Sequence, residues 1–274
     1  MPKISVVIPT HNRSWLITET ISYVLGQTYD DFEVIVIDNG STDDTRSIVE
    51  SITDKRVKYI YQNNSGSPAK PRNTGISIAN GKYISFLDDD DIWRPNKLET
   101  VVNAFEAIPY PDVICHSEYE NKHGNITKVL NYKSKRQNIF DHLMFHGNCL
   151  SGSATSVKTK ALREVEGFRE EIEFFEIEDY DLWIRLALRQ KTFHFISEPL
   201  GEFVIHKSNG TLTGLRRRFP NHRQMLKSHL RNANNVRITD YIRFRFIIMR
   251  TYYSQLSLYL EKWKRNLYSR LSSR

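Results

Sequence analysis

Four short apolar runs recur in the first ninety residues, each followed by a polar cluster or a stretch with helical spacing. Lys3–Ile8, Phe32–Ile37, Val57–Tyr61 and Tyr83–Leu87 are rich in β-branched and aromatic residues. Runs of this length and composition read as buried strands. Between them, Trp15–Leu25, a segment from about Ser41 to Ile52, and Pro71–Ala79 carry helical patterns. Ser41 and Thr42 are candidate N-caps for the second helix, with Asp43 and Asp44 in its first turn. The alternation predicts an α/β fold: a mostly parallel, Rossmann-like sheet flanked by helices.

In such sheets, ligands bind beyond the carboxyl ends of the strands. Polar clusters stand at those positions. Pro9-Thr10-His11-Asn12 follows the first run, Asp38-Asn39-Gly40-Ser41 the second, and Asp88-Asp89-Asp90-Asp91 the fourth.

Further on, Arg94-Pro95 opens a helix reaching about Ala107, and Asp112–His116 is another strand. Residues 117–150 look irregular. Thr155–Val157, Phe193–Ile196 and Phe203–His206 read as short strands, with a helix from about Asp179 to Leu188. Ser208-Asn209-Gly210 is a turn cluster, so a boundary is expected near residue 214. The expected organisation is a catalytic domain over 1–214, divided into halves 1–92 and 93–214, and a basic amphipathic helical tail over 215–274.

Charge follows the same division. The net charge is +7, from 39 basic and 32 acidic residues. Residues 215–274 carry 15 Lys/Arg against Asp240 and Glu261, a net of +13, which leaves −6 for residues 1–214. From Ile238 the apolar positions keep near-helical spacing. Such a tail suits an anionic membrane surface, the catalytic domain itself, or a second copy of the chain in a homodimer. It also raises a nucleic-acid-binding alternative, but no helix-turn-helix, zinc or RNA-binding motif accompanies it, so no nucleic-acid partner is expected. Cys115 and Cys149 form no CxxC pair, which argues against a disulfide framework or zinc site and for a reducing cytosol. No stretch approaches ~20 apolar residues. The expected location is cytoplasmic, peripheral at the inner face of the cell membrane.

Four adjacent carboxylates repel one another, and a divalent cation gives a reason to gather them. Oxygen-rich sites suit Mg2+ or Mn2+ held by one or two carboxylates together with substrate phosphates. The plain alternative is a solvated acidic loop.

Several segments, taken in order, resemble the family 2 glycosyltransferases, which have the GT-A fold. They are SVVIPTHNR at 5–13, FEVIVIDNGSTDDT at 32–45, PRNTGI at 71–76, GKYISFLDDDDIW at 81–93 and FEIEDYDLWIRL at 175–186. The resemblance covers roughly residues 3–206. It implies an inverting, metal-dependent enzyme of bacterial surface-polysaccharide type. Such an enzyme moves a sugar from a nucleotide-sugar, a UDP-hexose or UDP-N-acetylhexosamine, to a glycan or lipid-linked acceptor. A sugar nucleotidyltransferase is the alternative on the same fold, though PTHNR replaces the Gly-rich basic signature expected after the first strand.

The resemblance also implies roles. Pro9, Thr10, Asn12 and Arg13 line the nucleotide pocket, and Asp38, beside Asn39, accepts from the uracil ring. Arg72 meets a phosphate or pairs with the aspartates. Asp88 faces ribose or metal, Asp89 holds a variable position on the nucleotide side, and Asp90 is the main metal ligand with His206 as a further one. Asp91 orients the loop or the sugar. Trp93 either stacks on a sugar or packs in the core, and Trp183 stands on the acceptor side or in the packing behind the base. Asp179 is the expected general base, with Glu178 the alternative; both, with Asp181, could instead only cap the following helix. Asn148–Ser153 (NCLSGS) is expected to form the acceptor-side wall.

Overall fold

The computed structural model describes residues 1–107, 110–205 and 215–232. The first half follows the expected alternation. It comprises β1 (Ile4–Thr10), α1 (Ser14–Leu25), β2 (Phe32–Asn39), α2 (Thr45–Glu50), β3 (Val57–Gln62), α3 (Ala69–Ile78) and β4 (Tyr83–Phe86). β1 pairs in parallel with β2 and with β4, and β2 with β3. The register sets Thr10 opposite Asp38. The carboxyl ends of β1, β2 and β4 therefore share one edge, where the polar clusters stand.

Alternation along the strands divides the core. Val6 and Ile8 point to the cluster with Ile17, Ile21 and Val24 of α1, while Val7 points to the cluster with Ala69 and Ile76 of α3. Successive side chains of a strand face opposite ways, so each central strand holds helices on both faces. α3 lies close against β1. A Cβ added at Gly75 would fall 2.4 Å from Cγ1 of Val7, so only glycine fits at this crossing.

The second half completes the sheet with β5 (Ile92–Trp93), α4 (Lys97–Glu106), β6 (Val113–Lys122), β7 (Asn125–Leu130), α5 (Ile139–His146), β8 (Thr155–Lys158), α6 (Thr159–Glu164), α7 (Glu178–Leu188), β9 (Phe193–Ile205) and α8 (Leu215–Asn232). A 3-10 turn, Ile172–Phe174, precedes α7. The sheet order is β3-β2-β1-β4-β8-β6-β9-β5, with β7 paired to β6. β8 runs antiparallel to β4 and β6, so the sheet is mixed. One sheet thus runs through both the 1–92 and 93–205 segments. The fold is α/β of GT-A type with a C-terminal helix.

Several local expectations change. β6 continues to Lys122 and turns through His123 (φ +53°) and Gly124 (φ +86°) into β7, inside the segment read as irregular. Positive φ at both turn residues suits a tight two-residue hairpin. Phe193–Ile196 and Phe203–His206 join as one strand, β9, described to Ile205. α2 starts at Thr45, and Asp43, rather than Ser41 or Thr42, takes the Thr45 N–H at 3.1 Å. The amphipathic pattern from Ile238 lies outside the described residues. Of the tail, α8 packs on the catalytic unit: Met225, Leu226 and Leu230 join the α7-side core.

Candidate active site

At the carboxyl edge of the sheet lies a cavity of about 630 Å3. β1 and its loop give Pro9, Thr10, His11 and Arg13; β2 gives Asn39; the β3–α3 loop gives Asn64, Gly66, Ser67 and Pro68. α3 contributes Pro71 and Arg72, the aspartate run contributes all four members, and Phe175, Glu176 and Glu178 close the far side with Phe203 of β9.

The aspartates divide by their partners. Asp88 Oδ1 accepts from Arg72 Nη2 at 2.6 Å, and Asp88 Oδ2 has no hydrogen-bond partner among the described residues. Asp89 Oδ2 accepts from Thr10 Oγ1 at 2.7 Å, and its carbonyl accepts from Thr20 Oγ1 at 2.9 Å. Burial pushes the Asp89 carboxyl up to about 7, against the Thr10 hydrogen bond. Asp90 lines the cavity, half-buried. Asp91 is buried, with Oδ2 accepting from Ser153 Oγ at 2.6 Å and Oδ1 from Val204 N at 3.0 Å. Both of its oxygens bond to the protein, so Asp91 orders the loop.

Arg72 resolves the same way. It is 6% exposed and bridges Asp88 to Glu178, with Nη1 2.9 Å from Glu178 Oε1. Nη1 and Nη2 are engaged by carboxylates, so it ties the aspartate loop to α7, while its buried Nε has no hydrogen-bond partner among the described residues. Arg13 differs. It lines the cavity, forms no ion pair among the described residues and lies 5.7 Å over the Trp15 ring.

Asp38 is fully buried, with Oδ1 accepting from Ser41 N and Oδ2 from Tyr59 OH, both at 2.7 Å. It shapes the turn and does not itself line the cavity. Asn12 is also structural. At φ +52° it donates its N–H to Ser41 Oγ, and its Oδ1 accepts from Thr42 N, lacing the β1 and β2 loops together. Asn39 both lines the cavity and orders the β3–α3 loop, accepting from Ser65 N and Gln62 Nε2.

Neither tryptophan offers a ring to a sugar. Trp93 is 2% exposed, with Nε1 on the Ser153 carbonyl at 2.9 Å and Lys97 Nζ 3.5 Å from its ring centroid. Trp183 is fully buried in the α7-side core. Both belong to the packing behind the site.

At the start of α7, Glu178 and Asp179 part company. Glu178 is buried and paired with Arg72. Asp179 is half-buried; Oδ1 accepts from Tyr180 N at 2.6 Å, and Asn148 Nδ2 stands 3.5 Å from Oδ2. Burial, with the Glu178 charge beside it, pushes the Asp179 carboxyl up to about 7, while Arg72 opposes the shift. A carboxylate titrating near neutrality suits a general base. Glu176, just before, holds φ +67°, a conformation rare outside glycine. Asp181 is engaged elsewhere, by Arg185 at 2.6 Å and His229 of α8 at 2.7 Å.

His206 lies outside the described residues. Among the described residues no three His, Cys, Asp or Glu side chains gather to hold a metal ion. Asp88 Oδ2 and Asp90 still offer oxygen donors to the cavity. Two carboxylates with substrate phosphate oxygens fit the way Mg2+ is usually bound.

No sequence expectation gave a site role to His11, Asn64, Ser67, Phe175 or Phe203. A signal existed for three of these, because His11 stands in the Pro9-Thr10-His11-Asn12 cluster. Asn63-Asn64-Ser65-Gly66-Ser67 is the polar cluster after the third strand, the counterpart of the three that stood out. Ser153 ends the Asn148–Ser153 segment expected on the acceptor side, and its hydroxyl lies against Asp88 N and Asp91 Oδ2.

The family model described as Glycosyl transferase family 2 matches residues 5–166. An uncharacterized glycosyltransferase of Rickettsia bellii is 36% identical over 213 residues, 76% of this chain and 30% of the relative. The chain thus spans under a third of that relative's length. The GalNAc(5)-diNAcBac-PP-undecaprenol beta-1,3-glucosyltransferase of Campylobacter jejuni is 34% identical over 71% of this chain and 62% of its own. Among solved structures, S. aureus TarS 1-349 in complex with UDP-GlcNAc superposes with a TM-score of 0.74 at 22% identity, covering 92% of this chain and 73% of that one. The mannosyltransferase PcManGT from Pyrobaculum calidifontis, in complex with GDP-Man and Mn2+, gives 0.60 at 18% identity, covering 89% and 68%.

Proposed function

The chain belongs to glycosyl transferase family 2, and on that premise we propose that it transfers a sugar, with inversion, from a nucleotide-sugar to a glycan or lipid-linked acceptor in surface-polysaccharide assembly. The observation that carries this reading is the Arg72 bridge. It joins Asp88 to Glu178, 106 residues from Arg72 in sequence, and so brings the aspartate loop and the Asp179 segment to one site.

Asp179 deprotonates the acceptor hydroxyl. That oxygen attacks the anomeric carbon from the side opposite the leaving diphosphate, which departs as the nucleoside diphosphate. Glu178 is instead held by Arg72 through Oε1. Arg13 meets the diphosphate from the β1 loop, and the Pro9–Thr10 strand end with the Asn64–Ser67 loop forms the nucleotide wall. Asp90 and Asp88 would hold a divalent cation, Mn2+ or Mg2+, with His206 as a further ligand, and it would supply charge neutralisation to the leaving group.

A UDP-hexose or UDP-N-acetylhexosamine is the proposed donor, supported by the UDP-GlcNAc in the TarS complex. The undecaprenol-linked substrate named for the Campylobacter relative supports a lipid-linked acceptor. Among the described residues no helix is long and apolar enough to cross a membrane. The proposed residence is the inner membrane face, with the basic segment beyond residue 232 as its contact. The nucleotidyltransferase and nucleic-acid readings draw no support from the family match.

A thermal-shift screen with UDP-, GDP- and dTDP-sugars, each with Mn2+, tests the proposal. UDP-sugars should raise the melting temperature most, and EDTA should remove most of the rise. No stabilisation by any nucleotide-sugar contradicts the reading.

A further inference from the structure

Ser153 stands just before β8 and is 1% exposed. It does not line the cavity, yet it touches three positions of the segment that does. Its Oγ accepts from the Asp88 backbone N at 3.1 Å and donates to Asp91 Oδ2 at 2.6 Å. Its carbonyl accepts from Trp93 Nε1 at 2.9 Å. One residue thus grips both ends of the aspartate run and the strand that follows it.

A hydroxyl has one proton and two acceptor lone pairs. The Asp88 N–H can only donate, so it takes a lone pair and leaves the proton for Asp91. No apolar side chain meets both demands. Asp91 passes the constraint on, because its other oxygen accepts from Val204 N of β9 at 3.0 Å. Asp88 and Asp90 sit on a loop whose path is set from β8 and β9 behind it. Side chains that orient ligands from behind commonly matter nearly as much as the ligands themselves.

We propose that Ser153 is the positioning residue of the aspartate loop, fixing where Asp88 and Asp90 meet the donor diphosphate. The proposal rests on reading that loop as the diphosphate site. It assigns Ser153 no contact with substrate; the residue acts through Asp88 and Asp91.

The test is calorimetric titration of the full chain with UDP plus Mn2+, and separately with uridine, which lacks the phosphates. Ser153→Ala should weaken UDP binding in Mn2+ by about 10- to 100-fold and leave uridine binding within about 2-fold, since the Pro9 and Asn64 walls are untouched. Ser153→Thr keeps the hydroxyl and should recover most of the loss. Should Ser153→Ala fail to fold, Ser153→Cys fills nearly the same volume with a weaker donor and should show a smaller loss of the same kind. Wild-type affinity for UDP and Mn2+ in Ser153→Ala, or in Ser153→Cys where it stands in, overturns the proposal, as does an equal loss for uridine. Failure of the wild-type chain to bind UDP under any condition instead strikes the diphosphate reading itself, and this inference falls with it.

Discussion

Glu178 Oε1 lies 2.9 Å from Arg72 Nη1, with both side chains about 7% exposed. The same guanidinium holds Asp88 at 2.6 Å. Two carboxylates from distant segments therefore share one buried cation, and this sharing leaves Asp179 as the acid at the head of α7 that no cation among the described residues pairs directly.

Arg72→Ala removes that cation and strands two acids near each other. Breaking a buried pair by deleting one partner costs about 3–5 kcal/mol. A large drop in melting temperature is expected, read by circular dichroism. Arg72→Lys should not restore it, because a point-like ammonium cannot span both partners as the planar fork does.

The pH dependence follows from Asp179. Its carboxyl sits at about 7, raised from 3.8 chiefly by burial. The base works only when ionised, so turnover should fall as pH drops through about 7. Stability has the opposite sense. A carboxyl whose folded-state pKa is raised contributes stability that is fully present below the unfolded value and is lost as pH rises through about 7. Asp179→Asn should therefore melt higher than wild type at pH 8, with the difference shrinking toward pH 4; a constant difference across that range contradicts the burial argument.

His229 on α8 meets Asp181 at 2.7 Å, two residues past the proposed base, and His222 lies against Tyr180 with ring centroids 5.2 Å apart. His229→Ala leaves Asp181 with Arg185 and Arg169. The loss should be about 1–3 kcal/mol, the cost of unpairing one side of a buried polar contact, measured by urea unfolding. A change under about 0.5 kcal/mol, typical of surface positions, shows that α8 is not held by this contact.

Gly75→Ala places a methyl 2.4 Å from Val7 Cγ1. Overpacking of this kind typically costs about 1–3 kcal/mol. The helix gains propensity from alanine, so a stabilised variant in a thermal melt means that α3 can withdraw from β1.

The sheet through β4 was legible because a parallel strand buried on both faces needs a near-continuous apolar run, and Val6–Ile8 and Val34–Ile37 provide its core. The β6–β7 hairpin was not. β7 is exposed over nearly its full length, so no apolar alternation advertised it, and only His123-Gly124 marked the turn. Within the site, residue types were legible but directions were not. Asp38, Asp91 and Arg72 have the right chemistry for a ligand, and each turns it on the protein. Nothing in sequence separates a tryptophan that stacks on a sugar from Trp93 or Trp183, because the distinction is burial. Ser153 was expected only as part of an acceptor-side wall, and its grip on the aspartate loop was not legible because its partners are 60 to 65 residues away.

The central claim is that Asp179 is the base of a glycosyl transfer. It is tested most directly by comparing UDP release from the preferred UDP-sugar by wild type and Asp179→Asn, with UDP affinity measured alongside. The account predicts a fall in turnover of about 10²–10⁴-fold with UDP affinity unchanged. Turnover within a few-fold of wild type contradicts it and moves the proton transfer to another group.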